Sequence, residues 1–289
     1  MTPRYYVPAT SYWPIIGAIG LFFFAAGTVN LLHGNNNTGW GMFLPGSLLI
    51  VGVMFGWFAN SIAEAQQGLH SPMVARSYRW GMIWFIFSEV MFFAAFFGAL
   101  FYARVYAVPW LGGLGHGDAT HALLWPHFQA TWPLFKNPNP ELFPGPDKVI
   151  GAWGIPALNT VLLLSSAVTL TWAHWALKNR KREVMIFGLT LTIVLGLTFL
   201  GCQVYEYILA HHHYGLTLSS GIYGTTFFML TGFHGAHVTI GLIMLMVILA
   251  RCLRGHFDEE HHFAFEASAW YWHFVDVVWL FLFVFVYWL

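Results

Sequence analysis

Residues 85–97 read FIFSEVMFFAAFF. Apart from Ser88 and Glu89, every position is apolar. A run of this kind belongs in a hydrophobic core or in lipid, and the rest of the chain decides between them. Of 289 residues, 58% are hydrophobic, 8% are charged and 19% are aromatic, including 28 Phe and 15 Trp. Mean hydropathy is +0.62. A soluble domain carries about a quarter charged residues, so this chain cannot cover a water-facing surface. The composition implies a polytopic membrane protein.

A helix needs about 20 apolar residues to cross the hydrocarbon core. Seven segments qualify, over 13–33, 41–60, 80–104, 154–177, 184–210, 222–253 and 270–289. The fifth and sixth are long enough to tilt or project beyond the bilayer. Open sheets are excluded, because backbone polar groups in lipid must be satisfied within each span. The fold class is therefore all-α. With the N-terminus inside, the inner segments hold Arg4, Arg76, Arg79, Lys178, Arg180, Lys181, Arg182, Arg251 and Arg254. The outer segments hold only Arg104, Lys136 and Lys148. The bias of nine to three predicts an inner N-terminus and an outer C-terminus.

Net charge is zero, with 12 basic and 12 acidic residues, and no basic face for nucleic acid is implied. The stretch MTPRYYVPATSYWP reads as a short mature tail, not a signal peptide. Cys202 and Cys252 fall at opposite membrane faces and are expected to stay unbonded. The chain divides into a tail with two spans (1–60), an inner loop (61–79) and five further spans (80–289). The outer loop 105–153 is rich in Gly and Pro and is predicted to be irregular. The inner loop 254–269 is polar, acidic and rich in His.

Glu89 lies nine residues after Trp80, which marks the inner interface. At ~1.5 Å per residue that is about 13 Å deep, near the middle of a ~30 Å core. A lone ionised carboxylate there costs about 3 kcal/mol or more. It must be held protonated or meet a partner on another helix. The bland reading is a neutral acid hydrogen-bonded in the bundle beside Ser88; the functional one is a site tied to protons or lipid.

His234 and His237, at i and i+3, share a helix face. Two imidazoles without further converging ligands read as packed histidines, and no metal is expected. His211, His212 and His213 read as a solvated run, with Glu206 the nearest acid. His273 and Asp276, again at i and i+3, could satisfy each other near the inner interface. Neither a nucleophile elbow nor a phosphate loop accompanies them, so no catalytic residue is assigned. Arg251, Arg254 and His256, with His70, lie at headgroup depth. They serve topology, and they could hold an anionic or zwitterionic phospholipid. Gly52 and Gly56 form a GxxxG that predicts close helix approach.

Four blocks carry a resemblance: SEVMFFAAFF (88–97), LNTVLLLSSAVTLTWAHW (158–175), GIYGTTFFMLTGFHGAHVTIG (221–241) and HHFAFEASAWYWHFVDVVWLFLFVFVYWL (261–289). They resemble subunit III of the haem–copper cytochrome c oxidases, and the likeness extends over most of the chain. The resemblance implies a two-helix arm and a five-helix bundle forming a V-shaped lipid cleft. It implies docking on subunit I, in a complex with subunit II and other oxidase subunits, with cytochrome c as electron donor. Bound phospholipids are implied, with haem and copper confined to partner subunits.

The family supports proton uptake by its neighbour and protects the active site during turnover. Its carbodiimide-reactive carboxylate corresponds to Glu89. Its lipid contacts correspond to Trp57, His70, Arg251, Arg254 and His256. Phe58 stands where the mitochondrial form has a second tryptophan. The long outer loop suggests a bacterial, aa3-type member in the inner (plasma) membrane; the alternative is the mitochondrial inner membrane. Two other functions remain open: the same subunit of a quinol oxidase, which usually lacks the first two spans, and a stand-alone proton-coupled transporter.

Overall fold

The computed structural model describes residues 6–8 and 10–289. Arg4, counted above among the inner basic residues, lies outside them. The long helices are Trp13–Leu32 (α1), Asn36–Gln66 (α2) and Pro72–Tyr102 (α3). The third continues through a π-helical turn, Ala103–Ala107, into Val108–Leu111 (α4). A short helix, Asp118–Leu124 (α5), interrupts the otherwise irregular segment that follows. Ile155–Lys178 (α6), Arg182–His213 (α7), Gly221–Leu253 (α8) and Phe263–Leu282 (α9) complete the chain, α9 ending in a π-helical turn, Phe283–Trp288. Among the described residues there is no strand, and seven helices are long and apolar enough to cross a membrane.

Several helices outrun the spans predicted from hydropathy. The third begins at Pro72 rather than at 80, and the seventh at Phe263 rather than at 270. Hydropathy marks where a helix meets lipid, whereas capping chemistry marks where it starts. Ser71 Oγ accepts from the Val74 amide at 3.4 Å, and Pro72 follows at the first helical position, where its missing N–H costs nothing. At Phe263, the backbone carbonyl of His262 accepts from the Phe265 and Glu266 amides.

The chain falls into two compact units that divide within α3, after Trp80. In the N-terminal unit, α1 and α2 pack along a seam of glycines. A Cβ at Gly27 would collide with the Phe43 backbone, and one at Gly46 with the Phe24 backbone. Small residues at such points let two apolar helices approach closely where lipid offers no hydrophobic drive. The GxxxG expectation holds at Gly56 alone. A Cβ at Gly52 would meet nothing within 4 Å, and one at Gly56 would meet the Trp13 ring.

The second unit, from Gly81, is built around α9. Its most apolar window is 56% buried, against 28–39% for α6, α7 and α8. Trp272 supplies the wedge. Its ring fills the space over Gly196 of α7 and Gly241 of α8, and its indole N–H donates to Ser166 Oγ of α6 at 2.9 Å. One turn pair later, Trp279 Nε1 donates to Thr160 Oγ1 at 2.9 Å. The hydroxyls of Thr169 and Thr192 join α6 to α7 at 2.7 Å. These side-chain groups are thus paired across helix boundaries, as a dry interior favours.

Candidate functional site

The run around Glu89 has two faces. Met82, Ile86, Phe93, Phe96 and Leu100 pack into the core of the second unit, whereas Trp84, Phe85, Phe87, Val90 and Met91 are exposed. The packed residues recur at three- and four-residue intervals, and Glu89 falls on their stripe. It therefore faces α8 rather than lipid. Its partner is His237: Nε2 lies 2.6 Å from Glu89 Oε2. Glu89 is 21% exposed and His237 13%. Ser88 plays no part, because its hydroxyl donates to the Phe85 carbonyl at 2.7 Å.

The protonation pattern follows from the other ring nitrogen. His237 Nδ1 is 2.6 Å from the Phe233 carbonyl. A carbonyl only accepts, so Nδ1 carries hydrogen. The 2.6 Å contact at Nε2 then requires a second proton between the rings and the acid. Either glutamic acid donates to neutral imidazole, or imidazolium donates to carboxylate. Both forms hold one shared proton and no net charge. Phe93 at 5.0 Å and Phe92 at 5.7 Å flank the imidazole, and Tyr271 lies parallel to it at 6.5 Å.

His234, three residues earlier, turns elsewhere. It is fully buried, its Nε2 donates to the Val275 carbonyl at 3.2 Å, and Trp279 lies 5.2 Å from its ring. The two histidines therefore do not converge. Among the described residues no group of three His, Cys, Asp or Glu gathers to hold a metal. His273 Nδ1 stands 3.5 Å from Asp276 Oδ2, and its Nε2 is 3.3 Å from Thr171 Oγ1. His211, His212 and His213 are exposed while Glu206 is buried, so that acid does not serve them.

A basic cluster forms where α8 ends. Gly255 adopts φ +72°, which lets the chain fold back. The Gly255 amide reaches the Cys252 carbonyl and the His256 amide the Arg251 carbonyl, a Schellman turn. The turn sets His256 back on the turn that carries Arg251. The Arg251 guanidinium lies over the Phe257 ring at 4.3 Å. Arg251 Nε and His256 Nδ1 are buried without hydrogen-bond partners, and Arg254 is exposed. Arg182 of α7 joins them, donating to the Leu253 carbonyl at 2.8 Å. Sequence reasoning counted Arg182 for topology and missed it here. Trp57 and His70 belong to the N-terminal unit. Trp57 is exposed; His70 packs on Tyr78 at 5.1 Å, with Nε2 3.8 Å from Glu64.

Beside this end, the loop that follows α8 is pinned by charge. Arg180 donates from Nε to Glu259 at 2.8 Å, and its Nη2 reaches the second oxygen, making a two-pronged pair. That hydrogen bond and charge hold Glu259 below the usual carboxylate range and raise Arg180. Partial desolvation pushes Asp258 upward, but the His261 and Glu260 amides with the His261 ring outweigh it, leaving Asp258 lowered.

The sequence profile of the family described as "Cytochrome c oxidase subunit III" matches residues 3–117 and 121–289. Among curated relatives, "Cytochrome c oxidase subunit 3" of Oncorhynchus mykiss is 41% identical over 285 residues, covering 98% of this chain and 96% of the relative. The protein of the same name from Branchiostoma lanceolatum is 42% identical over 279 residues, covering 96% and 94%.

Proposed function

The chain belongs to the cytochrome c oxidase subunit III family, and from that membership we propose that it is the non-redox membrane subunit of a proton-pumping oxidase. It docks on subunit I, in a complex with subunit II and fed by cytochrome c. Electron transfer runs through haem and copper in those partners. Its own contribution is to shape the proton and lipid environment beside them. The observation that carries the proton part is the Glu89–His237 contact: a shared proton at 2.6 Å, partly open to the outside and flanked by phenylalanines. Such a pair can pass its proton between acid and base without leaving an unpaired buried carboxylate.

The lipid part rests on Arg251, Arg254 and His256. Buried donors without protein partners, a guanidinium and adjacent apolar rings suit a phosphate headgroup and its acyl chains. Trp57 and His70 are assigned to lipid by likeness to the family. We place the chain in the bacterial plasma membrane on the length of loop 105–153, with the N-terminus inside on the distribution of Lys and Arg.

The test is purification through a tag on this chain in mild detergent. Haem absorbance in the eluted complex is expected; a colourless, active carrier would overturn the reading. Glu89→Gln should leave a fully haem-loaded complex with altered proton uptake and faster loss of activity during turnover. A haem-deficient complex would make Glu89 an assembly residue instead.

A further inference from the structure

Glu206 of α7 belongs to neither site. It is 0% exposed. Its Oε1 accepts from the Tyr287 hydroxyl at 2.5 Å and from the Gln203 amide at 3.3 Å. Gln203 Oε1 in turn accepts from Asn159 Nδ2 at 3.5 Å. Two donors thus meet on one carboxyl, Gln203 of α7 and Tyr287 of the final turn after α9, and α6 joins the network through Asn159 on Gln203. The titratable groups that face it are Tyr287, Tyr207 of α7 and Tyr223 of α8. All are phenols, neutral at pH 7. Among the described residues no ion pair reaches it.

Its hydrogen bonds are one-sided. Both reach Oε1, while Oε2 is buried without a partner. An ionised carboxylate spreads its charge over two oxygens and needs donors or a cation at each. A carboxylic acid has no charge to compensate and leaves only one neutral hydroxyl unpaired. Its carbonyl oxygen is the strong acceptor, and its hydroxyl oxygen carries hydrogen. The arrangement matches the acid, with Oε1 as carbonyl and Oε2 as hydroxyl.

We propose that Glu206 is a second proton-holding site, a neutral carboxylic acid with its hydrogen on Oε2, sealed inside the helix bundle by Tyr287, Gln203 and Asn159. It differs in kind from the Glu89–His237 pair. That pair is partly exposed and has a base to share its proton; Glu206 has neither opening nor base. Its proton is structural and exchanges only when α7 parts from the end of α9. The assignment does not depend on the oxidase reading.

Infrared spectroscopy of the purified complex tests it. The wild-type minus Glu206→Gln spectrum at neutral pH should contain a protonated-carboxyl carbonyl stretch. In D2O that band should shift far more slowly than the bands of exposed carboxyls. Tyr287→Phe removes the shorter donor to Oε1 and should move the band to higher frequency. This second variant carries the test if Glu206→Gln does not assemble. Carboxylate bands in place of the carbonyl, immediate deuteration, or a band unmoved by Tyr287→Phe would each overturn the proposal.

Discussion

Removing the imidazole from the Glu89–His237 pair is the most informative perturbation of the bundle. In His237→Phe the ring keeps its place among Phe92, Phe93 and Tyr271, but the 2.6 Å contact is lost. A hydrogen bond to a charged or proton-sharing group contributes about 1.5–3 kcal/mol, and a carboxyl left unpaired in apolar surroundings loses about 1–3 kcal/mol. These ranges overlap in origin, and Glu89 is 21% exposed, so the single variant should cost about 2–3 kcal/mol. Glu89→Gln should cost less than about 1 kcal/mol, because the amide can donate to the imidazole lone pair. Glu89→Leu with His237→Phe should return to within about 1 kcal/mol of wild type, as paired polar groups exchanged for apolar ones often do.

The assay can be read at one residue. Cys252 lies on α8 with His237 and is 1% exposed. Pulse alkylation of Cys252 across a denaturant series, quantified by mass spectrometry, reports opening of this helix in the intact complex. His237→Phe should raise the opened fraction about 30- to 150-fold at fixed denaturant. Additive costs in the double variant, with no coupling between positions 89 and 237, would refute the shared-proton account.

Other consequences are equally concrete. Gly27→Ala should weaken the α1–α2 pairing by about 1–3 kcal/mol through the clash with Phe43, whereas Gly52→Ala should be neutral or stabilising; equal effects by thermal denaturation would contradict the glycine seam. Arg251→Ala should lower the phospholipid that co-purifies with the complex, and unchanged lipid phosphorus would remove Arg251 from the site. Arg180 lowers the folded-state pKa of Glu259, so their pair is formed above the ordinary carboxylate value and lost as pH falls through the lowered one. Glu259→Gln should therefore speed amide exchange over 258–262 at neutral pH, and the difference from wild type should vanish in acid.

Much of this was legible in the sequence because lipid imposes a single demand. Twenty apolar residues in a row have few other uses, so the seven spans follow from counting. Their ends do not, since Ser71, Pro72 and His262 act through local capping that hydropathy averages away. Glu89 stood out because one acid interrupts a run of phenylalanines, but its partner lay 148 positions away on another helix. Only the stripe through Ile86 and Phe93 hints at the face it turns to. Glu206 was read as a neighbour of the exposed histidines that follow it. The signal available was Gln203, one helical turn before it, which places two polar side chains on one face of an apolar helix. The close approach of α1 and α2 was sought in the familiar GxxxG pattern, of which only Gly56 meets α1, whereas most of the contact falls on glycines seven apart, at Gly20 and Gly27 and at Gly39 and Gly46.

The central place of α9 bears on how the chain is made. Helices leave the ribosome in order, so α6, α7 and α8 enter the bilayer before Trp272 exists. Until it arrives, Gly196 and Gly241 face an unfilled slot, and the hydroxyls of Ser166 and Thr160 lack their indole donors. The α6–α7 pair can form early through Thr169 and Thr192, but the core of the bundle closes only late, when α9 slides home like a bolt. A nascent chain stalled before residue 272 would leave that slot open, with Gly196 and Gly241 uncovered.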